Sequence, residues 1–111
     1  MYISFEEFLK VDIRKGTIID AILFDEAIKP AIKIWIDFGI DIGVKKSSAQ
    51  IVDLYNPKIL LGKSILAVIN LPPRQIGSCM SAVLILGLED NNKSIVLVSP
   101  ETEVPNGSKL K

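Results

Sequence analysis

A long β-rich run with a glycine in its middle constrains the possible folds of this chain more than any other feature. Residues 11–24 read VDIRKGTIIDAILF, with Gly16 inside the run. A glycine within a strand lacks a side chain to pack, so it marks a bulge or a sharp bend. The next run, AIKIWIDF at 31–38, alternates cleanly. Ile32, Ile34, Ile36 and Phe38 face one way, and Lys33, Trp35 and Asp37 face the other. A bent first strand followed by a regular second one predicts a sheet that curls on itself.

The remainder continues in the same mode. The pattern predicts a third strand over 43–50 and further strands over 64–70, 82–88 and 94–98. Turns are predicted over 25–30, at Pro72-Pro73, at Asn91-Asn92 and over the tail segment 104–107. Residues 51–62, IVDLYNPKILLG, read as a short helix or compact connection ended by Gly62. At the other end, Ser4-Phe5-Glu6-Glu7 forms a capping box, with Ile3 and Phe8 at the positions of a hydrophobic staple. A helix of one to two turns is predicted there, too short to stand alone. Five or six short strands behind a long bent one predict an all-β fold. The best match is a five-stranded Greek-key barrel of the oligonucleotide/oligosaccharide-binding (OB) type with a short N-terminal helix. Closure removes exposed strand edges. An immunoglobulin-like sandwich would want more strands and leaves 51–62 unexplained.

With 111 residues, the chain is expected to form one domain over 1–111, since two would each bury too little core. It has no histidine and one cysteine, Cys79. Zinc sites and cysteine–histidine catalysis need residues that are missing. The acids are scattered, and the glycines form no phosphate-cradling loop. The expectation is a protein that is not an enzyme and has no metal or cofactor. The start, MYISFEEFLKV, is acidic without a long apolar run, and no stretch approaches the roughly 20 apolar residues of a membrane span. A lone cysteine fits a reducing compartment. These features predict a cytoplasmic protein without membrane insertion.

The formal net charge of zero argues against indiscriminate nucleic-acid binding, but the distribution is uneven. Residues 1–28 carry a balance of −3, residues 29–74 a balance of +4, and the remainder −1. The basic middle includes Lys45 and Lys46, followed by Ser47, Ser48 and Gln50 on a sheet-edge segment. These side chains suit contacts to phosphate, sugar or backbone amides. Lysines protecting an edge strand would look the same. Pro72-Pro73-Arg74-Gln75 is either a rigid turn that projects an arginine to a ligand or an ordinary turn. Trp35 shares the polar face of its strand with Lys33 and Asp37. There it stacks a base, lines a peptide groove, or is covered by the N-terminal helix or a partner. Cys79 reads as a small packing residue.

Several segments together resemble one family. DIRKGTI at 12–18, KPAIKIWIDFG at 29–39, GVKKSSAQI at 43–51, AVINLPPRQIG at 67–77, VLILGL at 83–88 and VPNGSKL at 104–110 look like the stand-alone tRNA-binding-domain proteins called CsaA. Related domains are appended to methionyl- and phenylalanyl-tRNA synthetases and occur in endothelial-monocyte-activating polypeptide. The resemblance implies an OB barrel, a homodimer and recognition of tRNA by shape. It also implies an export-related chaperone role, with unfolded preproteins and the secretion motor as partners. The RNA-binding positions it implies are Arg14, Lys45, Lys46, Ser47, Ser48, Gln50, Arg74 and Ser81. Family members commonly carry an aromatic, a lysine, a serine and a glutamate where this chain has Cys79, Met80, Ser81 and Ala82. Trp35 replaces a residue that is usually smaller and polar. Trp35, Cys79 and Met80 are therefore candidates for a peptide-binding or dimer surface. The alternative is a structural or interaction module associated with an aminoacyl-tRNA synthetase.

Overall fold

The computed structural model describes residues 1–24 and 28–111. Its elements are α1 (Phe5–Leu9), β1 (Ile13–Phe24), β2 (Ala31–Asp37), β3 (Val44–Ala49), α2 (Pro57–Leu60), β4 (Ser64–Val68), β5 (Arg74–Ile76), β6 (Cys79–Ser81), β7 (Leu84–Ile85), β8 (Gly87–Glu89) and β9 (Ile95–Leu97). Residues 25–27 of the turn expected over 25–30 lie outside the described residues.

β1 is the spine. Its first half pairs antiparallel with β4 and its second half with β2, and Thr17 stands opposite both Ser64 and Asp37. The register jumps between Ile18 and Asp20. The bulge thus falls at Ile19, three residues beyond the glycine that signals it. Gly16 itself is fixed by packing: a Cβ there would lie 2.4 Å from Ile36 Cγ2 and 2.8 Å from the Phe38 ring. The bent strand is as expected, and the reason for the glycine differs.

The main sheet runs β3-β2-β1-β4-β7, all antiparallel. It curls until its outer strands meet. Ala82 N donates to Lys46 O at 2.8 Å, and Ser47 Oγ donates to Val83 O at 2.9 Å. The expected OB barrel is therefore present. Ile32, Ile34, Ile36 and Phe38, the inward set of β2, are all at most 1% exposed and meet Ile18, Leu60 and Ile65 inside. Each such side chain contributes about 1.5–3 kcal/mol by leaving water. α2 stops one end of the barrel with Leu60. Asn56 caps it through a bond from Ile59 N, Pro57 opens it, and Gly62 leaves it at φ +83°.

Two hairpins subdivide what reads as simple strand or turn. Residues 74–81 form the β5–β6 hairpin around Gly77-Ser78, where the sequence pattern predicts a turn at Pro72-Pro73-Arg74-Gln75 and no strand after it before residue 82. Gly77 at φ +55° occupies the first turn position, as a two-residue hairpin of the primed kind requires. The single strand expected over 82–88 divides into β7, on β4, and β8, on β9. Gly87 sits at the change of partner, where a Cβ would meet Ile95 Cγ2 at 2.4 Å.

The capping box forms as predicted: Ser4 N donates to Glu7 Oε1 at 3.0 Å, and Glu7 N donates to Ser4 Oγ at 3.1 Å. No residue of α1 is buried. The C-terminal segment does more than turn. It runs beside the first half of β1, on the edge that β2 leaves open. Lys15 N donates to Ser108 O, Gly107 N to Lys15 O and Leu110 N to Ile13 O, at 2.8–3.0 Å. No described helix is long and apolar enough to cross a membrane.

Candidate nucleic-acid interface

Strand periodicity divides the segment KKSSAQ at 45–50. Lys46 stands opposite Trp35, and Ser48 opposite Lys33. Residues paired across an antiparallel ladder share a face. Lys46 and Ser48 therefore join Lys33 and Trp35 on the outside of the barrel, and Gln50, exposed, follows the end of β3. Lys45, Ser47 and Ala49 take the other side. Ser47 is 1% exposed, held by Val83 O and 3.3 Å from Ser81 Oγ. It closes the barrel and is not available to a ligand, a correction to its place among the RNA-binding candidates. Lys45 is exposed but projects away from Lys46.

The β5–β6 hairpin borders this face. Ile76 and Cys79 pack on Phe24 and Ala31, forming a small second core on the outer side of the sheet. Cys79 is 0% exposed, so it belongs to no peptide or dimer surface. Met80, 46% exposed, is its neighbour on the strand and points to the opposite side of the hairpin with Gln75. Trp35, Cys79 and Met80 thus form no common patch. Ser81 accepts a bond from Ser48 N at 3.1 Å and fixes the hairpin to β3. Arg74, exposed and opposite Ser81, stands at the hairpin's barrel end.

Arg14 is separated from this group. Its guanidinium donates to Asp12 Oδ1 at 2.6 Å and to Gly107 O at 3.0 Å, which spends it on the tail. Among the described residues, the ion pairs are Arg14–Asp12 and Lys15–Glu103. Lys33, Lys46 and Arg74 therefore have no described carboxylate partner. The Lys33 ammonium lies 4.4 Å from the Phe24 ring centroid, and that of Lys46 lies 6.0 Å from the Trp35 centroid. Asp20, across from Trp35, accepts from Ala21 N, and Asp37 accepts from Gly39 N. Asp20 lies on β1 and Asp37 on β2, Lys46 on β3 and Arg74 on the hairpin, and Lys33 of β2 reaches towards Phe24 of β1. Lys33 is the site residue that the sequence motifs miss. Its signal is the alternation that places it beside Trp35.

A cleft of about 390 Å³ lies elsewhere, lined by Lys15, Thr17, Glu103, Val104, Pro105 and Asn106. The Lys15 ammonium there is 2% exposed and bonded to Glu103, Asn106 and Thr17. Its three protons are already used, so this cleft is the tail's anchor. The outer β2–β3 face is where barrels of this type hold oligonucleotides. Among the described residues, no His, Cys, Asp and Glu grouping is placed to hold a metal ion.

Known proteins share this fold. The family model described as a putative tRNA binding domain matches residues 13–109. A methionine–tRNA ligase of Porphyromonas gingivalis is 37% identical over 109 residues, covering 98% of this chain and 16% of the ligase. The chain therefore spans only a small part of the curated relatives it matches. The crystal structure of chaperone CsaA from Bacillus anthracis superposes with TM-score 0.93 at 45% identity, covering 100% of both chains. The CsaA chaperone protein from Picrophilus torridus superposes with TM-score 0.92 at 44% identity, covering 99% of this chain and 100% of that one.

Proposed function

The chain belongs to the family of putative tRNA binding domains, and from that premise we propose that it binds tRNA without catalysis, through the outer face of β2 and β3. The observation that carries this is a set of cations on one face with no carboxylate partner among the described residues: Lys33 and Lys46 beside Trp35, with Arg74 on the bordering hairpin. Ser48 adds a hydrogen-bonding group on the same side, and the exposed Gln50 follows at the end of β3. The contacts are to phosphate and sugar, so shape is read and affinity falls steeply with salt. Residues 1–111 form one tRNA-binding-type domain in this reading, which works in the cytoplasm.

The test is tRNA affinity as a function of salt. Lys33→Ala combined with Lys46→Ala is expected to weaken binding and to lower the slope of log affinity against log salt by roughly 1–2. Lys45→Ala, on the other side of β3, is expected to do less. Equal effects of all three lysines, or none, would remove the β2–β3 face as the site.

A homodimer is part of the same reading. Tyr2, Ile3, Phe5, Leu9 and Val11 are all more than 40% exposed around α1, as is Leu110 of the tail. A second copy would cover them. The second reading, binding of unfolded preproteins delivered to the secretion motor, draws on this same apolar surface. A module working beside an aminoacyl-tRNA synthetase remains the alternative that the ligase relatives suggest.

A further inference from the structure

Trp35 has no apolar neighbour directly across the sheet on its own face. Asp20 stands opposite it on β1 and Lys46 on β3, while Lys33 and Asp37 flank it along β2. The apolar groups on this side begin one pair along, with Ile22 opposite Lys33 on β1 and Val44 opposite Asp37 on β3, both exposed, and the Phe24–Ala31–Cys79 cluster lies farther off. Ala31 is four residues from Trp35, about 13 Å along the strand. The indole is therefore a partly exposed aromatic plate among charged side chains. A plate of this kind gains contact area only when something flat is laid on it.

The charges around it select the occupant. Lys46, paired with Trp35 on β3, can take phosphate oxygens on that side, while Asp20 repels phosphate on the β1 side; the Lys33 ammonium lies farther along, over Phe24. A nucleotide strand is then oriented with its backbone along Lys46 and Arg74 and a base directed back over Trp35. Within a duplex the base faces are stacked on one another and unavailable. We propose that Trp35 is a stacking platform for an unpaired base, so that this face selects single-stranded RNA elements over duplex. This deepens the proposed tRNA reading and rests on it.

The chain has one tryptophan, so its emission reports this position alone. The whole protein is titrated at low salt with an unstructured oligoadenylate and with a blunt RNA duplex of equal charge. Quenching by the single strand, and little by the duplex, is expected. Trp35→Leu should weaken single-strand binding roughly 5- to 150-fold, the span of one stacked base, and Trp35→Tyr should restore most of it. The quenching measurement on the unaltered protein decides the matter even if Trp35→Leu folds poorly. If tRNA binds in a Lys33- and Lys46-dependent way while Trp35 emission is unmoved, the stacking proposal fails and the tRNA reading stands. Quenching by an extended apolar peptide that survives salt, with none by RNA, overturns the proposal in favour of a protein ligand. Absence of binding to both tRNA and oligonucleotide overturns both.

Discussion

Gly16 shows how little room single positions have in this barrel. The space a Cβ needs is occupied by Ile36 and Phe38, both buried inside the curl. Neither neighbour is a flexible surface chain that could swing away. Gly16→Ala is expected to destabilise the fold by about 1–3 kcal/mol, the usual range for overpacking, visible as a lower denaturant midpoint at unchanged m. Gly43 is a useful contrast: at φ +84°, with nothing within 4 Å of the place a Cβ would take, its constraint is purely backbone. Gly16 was legible in the sequence as a special position, but as the mark of a bulge or bend; its packing against Ile36 and Phe38 comes from a neighbouring strand that local pattern does not show. The same holds at the candidate site. Lys45 and Lys46 are equivalent as letters, and only the pairing of Trp35 with Lys46 decides which one joins the face. Ser47 and Ser48 divide in the same way, one closing the barrel and one facing out.

At the scale of elements, regular alternation was the readable part. β2 and its inward isoleucines follow from period two, and α1 follows from the Ser4 capping box, whereas α2 with its Asn56 cap was legible only as a short helix or compact connection. The β5–β6 hairpin did not stand out because each arm has three residues, too few for periodicity. Its one local sign was the Gly77-Ser78 pair. The tail was legible as a turn but not as a strand partner, because its pairing with β1 spans some ninety positions. That pairing has a measurable consequence. Three backbone hydrogen bonds from Gly107, Ser108 and Leu110 cover the edge of β1, and Asn106 and Glu103 hold the buried Lys15 ammonium. At about 0.5–1.5 kcal/mol net for each backbone bond, removing residues 104–111 is expected to cost about 2–4 kcal/mol. Amide exchange at Lys15, whose N–H is held by Ser108, should speed up more than at residues of β2. Uniform acceleration across the sheet would mean the tail acts only through global stability.

For the whole molecule the governing fact is an imbalance of apolar surface. The barrel closes on its own core, yet α1 leaves Phe5 71% and Leu9 47% exposed, with no residue of the helix buried. A five-residue helix with exposed aromatics gains little stability from itself. Its attachment to the barrel is polar: Asn70 Nδ2 donates to Lys10 O at 2.6 Å, and Asp12 N donates to Asn70 Oδ1 at 2.9 Å. These bonds fix where the helix sits without covering its face. A self-complementary contact between two copies, α1 against the partner, would cover it in both at once. Trp35 lies far from that tether, since Asp20, its partner on β1, is about 25 Å along the strand from Asp12. A dimer built on α1 therefore leaves the β2–β3 faces of both copies open to RNA. Sedimentation is expected to give twice 12.2 kDa at micromolar concentration, with at least ~1,000 Å² buried in total. Phe5→Asp should shift the protein to monomer while its circular dichroism stays that of the intact barrel, because Phe5 contributes nothing to the core. Two copies carry two basic faces, so the monomer should also bind tRNA more weakly wherever one tRNA spans both. If Phe5→Asp leaves the mass at the dimer value, the contact between copies lies on another surface.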